Sequence, residues 1–346
     1  MAINKKKIQK ENLHSLFNKN LLKNKKIIKK KDFHSFSFNK KGIFYTLISL
    51  MFLSLLMFSM NIEKEYTLRE RSHVIGNRID SVNFFITDLE KDIQRGTYIA
   101  MFRSLLGIQQ QITSEGQFLN DTQKTFKEII VNGTIDGNYI SVMNNTELSI
   151  WISKIQLEAR KVAIEFNYNI NYVKIYQLNP WVVAVDLNVT LNVTDMKNTA
   201  EWKRDQLITT TLNISTFEDP LYSVFTYGRV LNTIQKTPIT DFTDGTNTTN
   251  IKEHIDNSYY IATNSSPSFI MRLSGNLSNS TNGIESIVNL KKLEDASVSI
   301  IEKSCVDYIY FSNSTPTNYL INYTYNWFRL DNESNHLGIY EAEHLI

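Results

Sequence analysis

Cysteine is almost absent from this chain of 346 residues, which contains only Cys305. A single thiol cannot form an intramolecular disulfide, so the chain is not a disulfide-stapled secreted domain. No histidine lies near Cys305 in the sequence to activate it as a nucleophile. We therefore expect Cys305 to be a small buried residue.

Proline and charge are also missing from particular stretches. The first 179 residues contain no proline, so nothing there forces a helix to break. Residues 43–60 carry no charged side chain at all. A helix of that length spans roughly 27 Å, close to the ~30 Å hydrocarbon core of a bilayer. The pattern predicts a transmembrane helix over residues 42–62.

The flanks of this segment argue against its two competitors. A cleaved secretory signal has an apolar stretch of about 7–15 residues and small residues at its cleavage site, which residues 60–63 do not provide. A buried core helix is not expected directly behind Lys40 and Lys41. Residues 1–41 carry thirteen lysines against Glu11 and Asp32, a formal charge of +11, whereas the remainder carries −9. Lysine-rich flanks stay in the cytoplasm, so we expect the C-terminal part to be extracellular. We expect the basic tail to contact anionic lipid headgroups of the inner leaflet rather than nucleic acid.

Acceptor sequences for asparagine-linked glycans support the same orientation, since they can be used only on the exported side. Residues 1–60 contain none. Thirteen follow, where random placement would give about five or six: Asn120, Asn132, Asn144, Asn188, Asn192, Asn213, Asn247, Asn264, Asn276, Asn279, Asn313, Asn322 and Asn332. They predict an exported glycoprotein.

Periodicity predicts an α+β fold with a long helix at its start. Apolar residues recur every three or four positions at Ile75, Ile79, Val82, Phe85 or Ile86, Leu89 and Ile93, which is the stripe of an amphipathic helix. We expect one helix over residues 43–113, packed on the protein's own globular part or on a neighbouring subunit. Two shorter helices are expected at residues 121–131 and 146–166.

From residue 167 the period changes to two. Residues 183–194 alternate between apolar and polar side chains, which is typical of a half-buried strand. With strands near residues 169–178 and around Asn213, they predict an antiparallel meander backed by helices. Asn188, Asn192 and Asn213 fall on its polar face, which makes them the preferred glycan acceptors. Apolar runs at residues 268–273, 283–290 and 296–311 are expected to add strands or a helix to the same layer.

The domain organisation follows from these segments. We expect a basic cytoplasmic tail or leader at residues 1–41, the transmembrane helix at 42–62, and an extracytoplasmic helical stalk at 63–115. A helical segment at 116–166 and a β-rich extracellular domain at 167–346 complete the chain. Whether the last part forms one domain or two stays open.

Motifs for catalysis are missing: there is no phosphate-binding glycine loop, no Gly-x-Ser-x-Gly and no His-Glu-x-x-His. We expect no enzymatic activity, cofactor or metal. A metal could be held at the C-terminus by His336, Glu341, Glu343 and His344, but a chain end is usually mobile, so we expect no site there. An expected helix carries Glu253, His254 and Asp256, which we interpret as a solvated face rather than a functional site. Sugar rings could stack on Tyr259, Tyr260 and Trp327, although such residues are more often packing residues.

One short motif resembles a known family. Lys40-Lys41-Gly42, followed by the apolar residues 43–56, resembles archaeal type IV pilin-like precursors, which a dedicated peptidase cuts after glycine. The resemblance implies a cut between Gly42 and Ile43 and an apolar helix used for polymerisation. Residues 254–263 and 266–276 are also similar to membrane-anchored surface proteins of small-genome archaea, from which no activity follows.

Two classes of function remain open. The first is a membrane-anchored surface protein with a structural or adhesive role, which would contact the lipid bilayer and possibly copies of itself or other envelope proteins through the long helix. The second is an anchored carbohydrate-binding module or cell-envelope enzyme, which would need a polar pocket.

Overall fold

The computed structural model describes residues 40–197 and 200–346, and the expected basic tail therefore lies almost entirely outside the described residues. The chain forms two compact units, the first ending at Ser72 and the second covering His73–Ile346. Helix α1, Lys40–Glu115, contributes to both units, which confirms the long helix expected from the absence of proline. The described part of the first unit is entirely helical.

The second unit begins with the amphipathic part of α1. Val82, Ile86, Leu89 and Ile93 are fully buried, as their spacing predicts, whereas Ile75 is 45% exposed. The same buried face continues to the end of the helix through Met101, Leu105, Ile108 and Ile112. This face packs into a core made by the chain's own sheet and helices, so it needs no neighbouring subunit to cover it.

Two helices and a small hairpin follow. Helix α2, Thr122–Asn132, begins where the Asp121 side chain accepts a hydrogen bond from the Lys124 backbone N–H. It ends at Gly133, whose positive φ of 72° suits glycine. Strands β1, Thr134–Ile135, and β2, Asn138–Tyr139, pair before helix α3, Leu148–Lys161. A 3-10 turn at Ser141–Met143 lies between them.

The central sheet is the expected antiparallel meander. Strands β3, Ile164–Asn179, β4, Val182–Asp195, and β5, Glu201–Asn213, lie in the order β3-β4-β5. Along β4 the buried Val185, Leu187 and Val189 alternate with half-buried polar residues, so one face of the sheet enters the core. The helix expected up to residue 166 ends at Lys161, because the chain turns at Ala163 with φ of 57° and enters β3.

The chain after β5 departs from the expected β-rich layer. It forms helices α4, Pro220–Phe225, α5, Thr249–Asn257, α6, Phe269–Leu273, α7, Leu290–Asp295, α8, Asp307–Tyr310, and α9, His336–Ile339. It also forms two separate antiparallel pairs, β6, Tyr260–Thr263, with β7, Gly283–Ser286, and β8, Asn318–Leu320, with β9, Arg329–Asp331. Further 3-10 turns lie at Glu333–Asn335 and Glu343–Leu345. The runs at residues 268–273 and 283–290 are largely buried, whereas in the run at residues 296–311 Ile300 and Ile301 are exposed and only residues 303–311 are buried. None of the three runs extends the central sheet.

The second unit has two hydrophobic clusters. The first joins α1, α2 and α3 to the central sheet. The second is formed mainly by residues between Leu221 and Leu345. The segment expected as a helical stalk, residues 63–115, is from His73 onward part of the same compact unit as the sheet.

Candidate functional site

The first candidate site is the apolar surface of α1 in the first unit. Among residues 43–60 only Ile48 is half-buried, and all the others are exposed. Large side chains such as Phe52 and Leu53 are exposed by 67% and 59%. A continuous exposed apolar surface of this size is unfavourable in water. The helix is long and apolar enough to cross a membrane.

Gly42 and Ile43 lie at the start of this helix. Glycine within a helix is destabilising, and it is usually explained by a close neighbour that excludes a side chain. At Gly42 no atom lies within 4 Å of the place that a Cβ would take. Packing among the described residues therefore does not require glycine there. The same is true of Gly76, which makes Gly76 a control position on the same helix.

The asparagines of the glycan acceptor sequences all lie at the surface of the second unit. Eleven of the thirteen are exposed, and Asn188 and Asn192 are half-buried. Asn188 and Asn192 were predicted to be preferred acceptors because they fall on the polar face of strand β4. They do face outward, but the neighbouring strand crowds them, and the Asn171 amide donates a 2.6 Å hydrogen bond to Asn188 Oδ1. Asn213, the third preferred position, is exposed.

Several acceptor sequences also have a local structural role. Asn247 Oδ1 accepts hydrogen bonds from the backbone N–H and the hydroxyl of Thr249, at 3.1 and 2.8 Å. Asn276 Oδ1 accepts the same pair from Ser278, at 3.0 and 2.6 Å. These are turns that Asn and Ser or Thr favour by their own chemistry. Part of the enrichment in acceptor sequences is therefore explained by turn formation.

A partly apolar groove lies between α1 and α3. Its volume is about 490 Å³, and its apolar lining includes Phe85, Leu89, Trp151 and Ile155. Acidic side chains lie at the same groove, among them Asp88 and Glu158. A groove of this kind can accept an apolar side chain from a partner.

The C-terminal polar residues do not form the mobile end that the sequence suggested. His336 is fully buried and its Nδ1 lies 2.7 Å from Asp331 Oδ1. On its other side Nε2 lies 3.1 Å from the Tyr308 hydroxyl and 3.6 Å from Glu285 Oε2. Burial alone would lower the pKa of His336, but the hydrogen bonds with Asp331 and Glu285 outweigh it and raise that pKa to about 9. The imidazolium is therefore a buried cation between two carboxylates.

The other residues of that C-terminal group are held separately. Glu341 accepts backbone hydrogen bonds from Phe242 and Thr243, at 2.7 and 3.1 Å. His344 Nε2 lies 2.8 Å from the Gly245 carbonyl oxygen. No group of three or more His, Cys, Asp or Glu side chains in the described part of the chain is arranged to hold a metal ion.

His254 lies on α5 as expected, but it faces inward. It is fully buried beside the Phe242 and Tyr340 rings, and its Nδ1 lies 3.2 Å from the Thr237 hydroxyl. Burial lowers the pKa of His254 to about 3, so the ring is neutral at physiological pH. Its helix neighbour Asp256 accepts a 2.8 Å hydrogen bond from the Tyr325 hydroxyl.

The three aromatic residues considered for sugar stacking occupy different surroundings. Tyr260 is fully buried, and its hydroxyl donates a 2.9 Å hydrogen bond to Asp219. Trp327 is half-buried and stacks in parallel on Tyr325, with ring centroids 5.1 Å apart. Tyr259 is half-buried beside His254. The three rings therefore do not form one sugar-binding platform.

A buried ion network was not predicted from the sequence. The Arg272 guanidinium, fully buried, lies 2.5 Å from Asp219 Oδ2 and 2.9 Å from Asp307 Oδ2. Burial alone would lower the pKa of Arg272, but the two carboxylates outweigh it and raise that pKa, so the guanidinium stays charged. The Asp307 carboxylate also accepts from the Ser286 backbone N–H and hydroxyl. The three ionic residues are distant in sequence, so no local spacing signals the network.

Cys305 agrees with its expected role. It is fully buried, and burial raises the pKa of its thiol to about 12.

Comparison of the chain with protein-family models, curated proteins and solved structures gives no match. Proposals about function therefore depend on the residues and their geometry.

Proposed function

We propose that this protein is a membrane-anchored extracellular surface protein with a structural or adhesive role. The observation that carries the proposal is the exposed, charge-free helix of residues 43–60. A soluble domain would bury such a segment in its core, whereas a bilayer provides the apolar surroundings that this helix needs. The polar second unit would then lie on one side of the membrane.

The orientation proposed is cytoplasmic for the N-terminus and extracellular for the second unit. The lysine-rich tail with its charge of +11 supports this direction, because such segments are retained in the cytoplasm. The confinement of the acceptor sequences to residues after 60 supports it as well. Their asparagines are all at least partly accessible, as glycosylation requires.

A pilin-like form of this role depends on processing. Cleavage between Gly42 and Ile43 would leave a mature chain that begins with the apolar helix. The open space around Gly42 supports the idea that glycine is kept there for recognition rather than for packing. Copies of the mature protein, or other envelope proteins, could then pack along the exposed helix.

Membrane anchoring can be tested by extraction with alkaline carbonate, which removes proteins that only adhere to membranes. We expect the unaltered chain to resist extraction. A Leu50→Lys, Leu53→Lys double variant should lose stable insertion, because each charge near the bilayer centre costs about 2.5–3.5 kcal/mol. Leu68→Lys is the matched control, since Leu68 is also exposed on α1 but lies beyond the apolar segment. Release of the unaltered chain by carbonate would refute the anchor.

Processing can be tested by mass spectrometry of the mature N-terminus. The pilin-like form predicts a mature chain that begins at Ile43, and a Gly42→Val variant that keeps its leader. Gly76→Val, the control at an equally open helical position, should be processed like the unaltered chain. An intact leader on the unaltered chain would reject the pilin-like form and leave the anchored surface protein in place.

Glycosylation can be tested separately, by measuring the masses of the peptides that contain the acceptor asparagines. Peptides that contain exposed acceptors such as Asn264 and Asn313 should carry added sugar mass when the protein is isolated from its natural host. The half-buried Asn188 and Asn192 should be occupied less. Unmodified peptides at all thirteen positions would contradict the proposal that the protein is a glycoprotein.

The alternative of a carbohydrate-binding module or envelope enzyme has less support. His336 and its carboxylate partners are fully buried, so a substrate cannot reach them without unfolding. Asp256 and Trp327 are already engaged with Tyr325. We therefore propose the structural or adhesive role.

A further inference from the structure

Exposed apolar side chains lie together at one end of the second unit. Val162 follows helix α3, and Met196 follows strand β4. Both residues are 54% exposed. The backbone N–H of Met196 donates a 3.0 Å hydrogen bond to the carbonyl oxygen of Ala163. The two turns that carry Val162 and Met196 therefore lie against each other.

Arg78 of α1 holds both turns in place. Its guanidinium donates hydrogen bonds to the carbonyl oxygens of Val162 and Ala163, at 2.9 and 2.7 Å. It also forms a 2.8 Å ion pair with the buried carboxylate of Asp195, the last residue of β4. The turn after α3 and the end of β4 are thus fixed at one point on α1.

The preceding turn of α1 adds two more apolar side chains at this end. Val74 and Ile75 are 63% and 45% exposed. They precede Arg78 by four and three positions, which puts them on the same face of the helix. We call the four apolar residues the entry surface, because α1 enters the second unit here: Val74, Ile75, Val162 and Met196.

The entry surface is connected to the charge-free segment by a short stretch of chain. Residues 61–73 separate Met60 from Val74. Even a fully extended chain of this length spans no more than about 50 Å. When the charge-free segment is in a bilayer, this connection keeps the second unit near the lipid surface. Among the parts of that unit, the entry surface has the shortest connection to lipid.

The two turns of the entry surface are also basic. Lys161 contacts Glu158 at 2.6 Å, but both side chains are exposed and such a pair is weak. The acids Glu165 and Glu201 lie one position further into the sheet. Within residues 160–163 and 195–197 the exposed charged side chains are all cationic: Arg160, Lys161 and Lys197. Cations of this kind contact the phosphate groups of lipid while neighbouring apolar side chains enter below them.

We propose that the entry surface rests on the bilayer, with its four apolar side chains inserted at the boundary between headgroups and acyl chains. The contact depends on the proposed membrane anchor and adds to it, because the folded unit itself then touches lipid. Arg160 and Lys197 would lie among the phosphate groups. A phospholipid surface offers both an apolar layer and anionic groups, whereas a second copy of the entry surface would bring like charges together.

Lipid quenching tests this contact in the full-length protein, reconstituted in phosphatidylcholine vesicles. Val162→Cys and Met196→Cys are each labelled with an environment-sensitive fluorophore, and part of the lipid carries a nitroxide just below its headgroup. Both labels should shift their emission to shorter wavelength and be quenched by the nitroxide. The native Cys305 is buried and takes little label.

Leu178→Cys is the matched control for these two labels. Leu178 is 49% exposed, but it lies at the other end of the same sheet. The 14 residues of β4 separate the two ends, which is roughly 40 Å along the strand. A label at Leu178→Cys should therefore remain unquenched.

A label within the apolar segment separates this test from the test of the anchor. Leu53→Cys should be quenched by a lipid whose nitroxide lies deep in the acyl chain, because Leu53 is near the middle of residues 43–60. Quenching there shows that the anchor is inserted, whatever the labels on the entry surface show.

Charge substitutions test whether the apolar side chains themselves insert. A label at Ile75→Cys should be quenched in the otherwise unaltered chain. It should lose that quenching when Val162→Glu and Met196→Glu are added, because carboxylates are costly to place among acyl chains. Adding Leu178→Glu instead should leave the quenching at Ile75→Cys unchanged.

Three results would overturn the lipid contact and leave the anchor in place, provided that Leu53→Cys is quenched. The first is quenching at Val162→Cys and Met196→Cys no stronger than at Leu178→Cys. The second is a shift in emission without quenching, which would show that protein rather than lipid covers the entry surface. The third is full quenching at Ile75→Cys despite the two glutamates. Absence of quenching at Leu53→Cys would instead contradict the anchor itself.

Discussion

At the residue scale, the strongest demands on the fold come from charges that are buried together. Arg272 compensates two carboxylates, and removing one partner of a buried pair leaves an uncompensated charge. Arg272→Leu should therefore lower the free energy of unfolding by about 3–5 kcal/mol. Urea denaturation measures this change. Lys291→Leu, which removes an exposed ion pair with Asp295, should cost less than about 0.5 kcal/mol, and equal losses would contradict the assignment.

We expect two buried histidines to make the stability of the fold depend on pH in opposite directions. The pKa of His336 is raised from 6.5 to about 9, so its contribution to stability is complete below pH 6.5 and is lost as the pH rises to about 9. The pKa of His254 is lowered from 6.5 to about 3, so its contribution is complete above pH 6.5 and is lost as the pH falls toward 3.

Substitution of each histidine in turn separates these two dependences of stability on pH. Denaturation midpoints measured from pH 4 to 10 should fall less steeply above pH 6.5 in His336→Gln, and less steeply below pH 6.5 in His254→Gln, than in the unaltered chain. Each variant serves as the control for the other, since both lose a buried imidazole. A profile of the same shape in all three proteins would show that neither histidine titrates as described.

At the element scale, helix α1 changes character along its length. Ile93 is fully buried, whereas Ile75 on the same helix is 45% exposed. Ile93→Ala should cost about 2–5 kcal/mol of unfolding free energy, because it leaves a cavity in the core. Ile75→Ala should cost no more than about 0.5 kcal/mol. Thermal or urea unfolding of the two variants would contradict the packing if their losses were alike.

The elements that were predicted well from the sequence are those in which a periodic pattern continues over many residues. The stripe of α1 and the alternation in β4 repeat over many residues, so the buried face could be assigned before the structure was known. The short elements after Asn213 carry too few repeats for this. Their turns also use positive φ at Tyr227, Ser258 and Tyr323, where residue type gives no signal comparable to glycine.

The polar clusters could not be predicted for a different reason. Asp219, Arg272 and Asp307 come together only through tertiary packing of α4, α6 and α8. His336 looked like part of a mobile C-terminus, yet Asp331 and Glu285 hold it in the core. An exposed charged residue suggests a ligand-binding site, whereas a buried and paired charged residue indicates a structural role.

At the scale of the whole molecule, the chain contains a helix that is apolar enough to cross a membrane and a folded polar unit. The central claim is that the second unit lies outside the cell on a single transmembrane helix. Cys305 is buried, so the unaltered chain offers little background to a thiol reagent. Lys291, whose side chain is 71% exposed, is a suitable position for a new thiol on the second unit.

Labelling of Lys291→Cys in intact cells with a membrane-impermeant maleimide is the most direct test. The account predicts full labelling before lysis, no further increase after lysis, and almost none of either in the unaltered chain. Labelling of Lys291→Cys only after the cells are permeabilised would place the second unit in the cytoplasm and contradict the account.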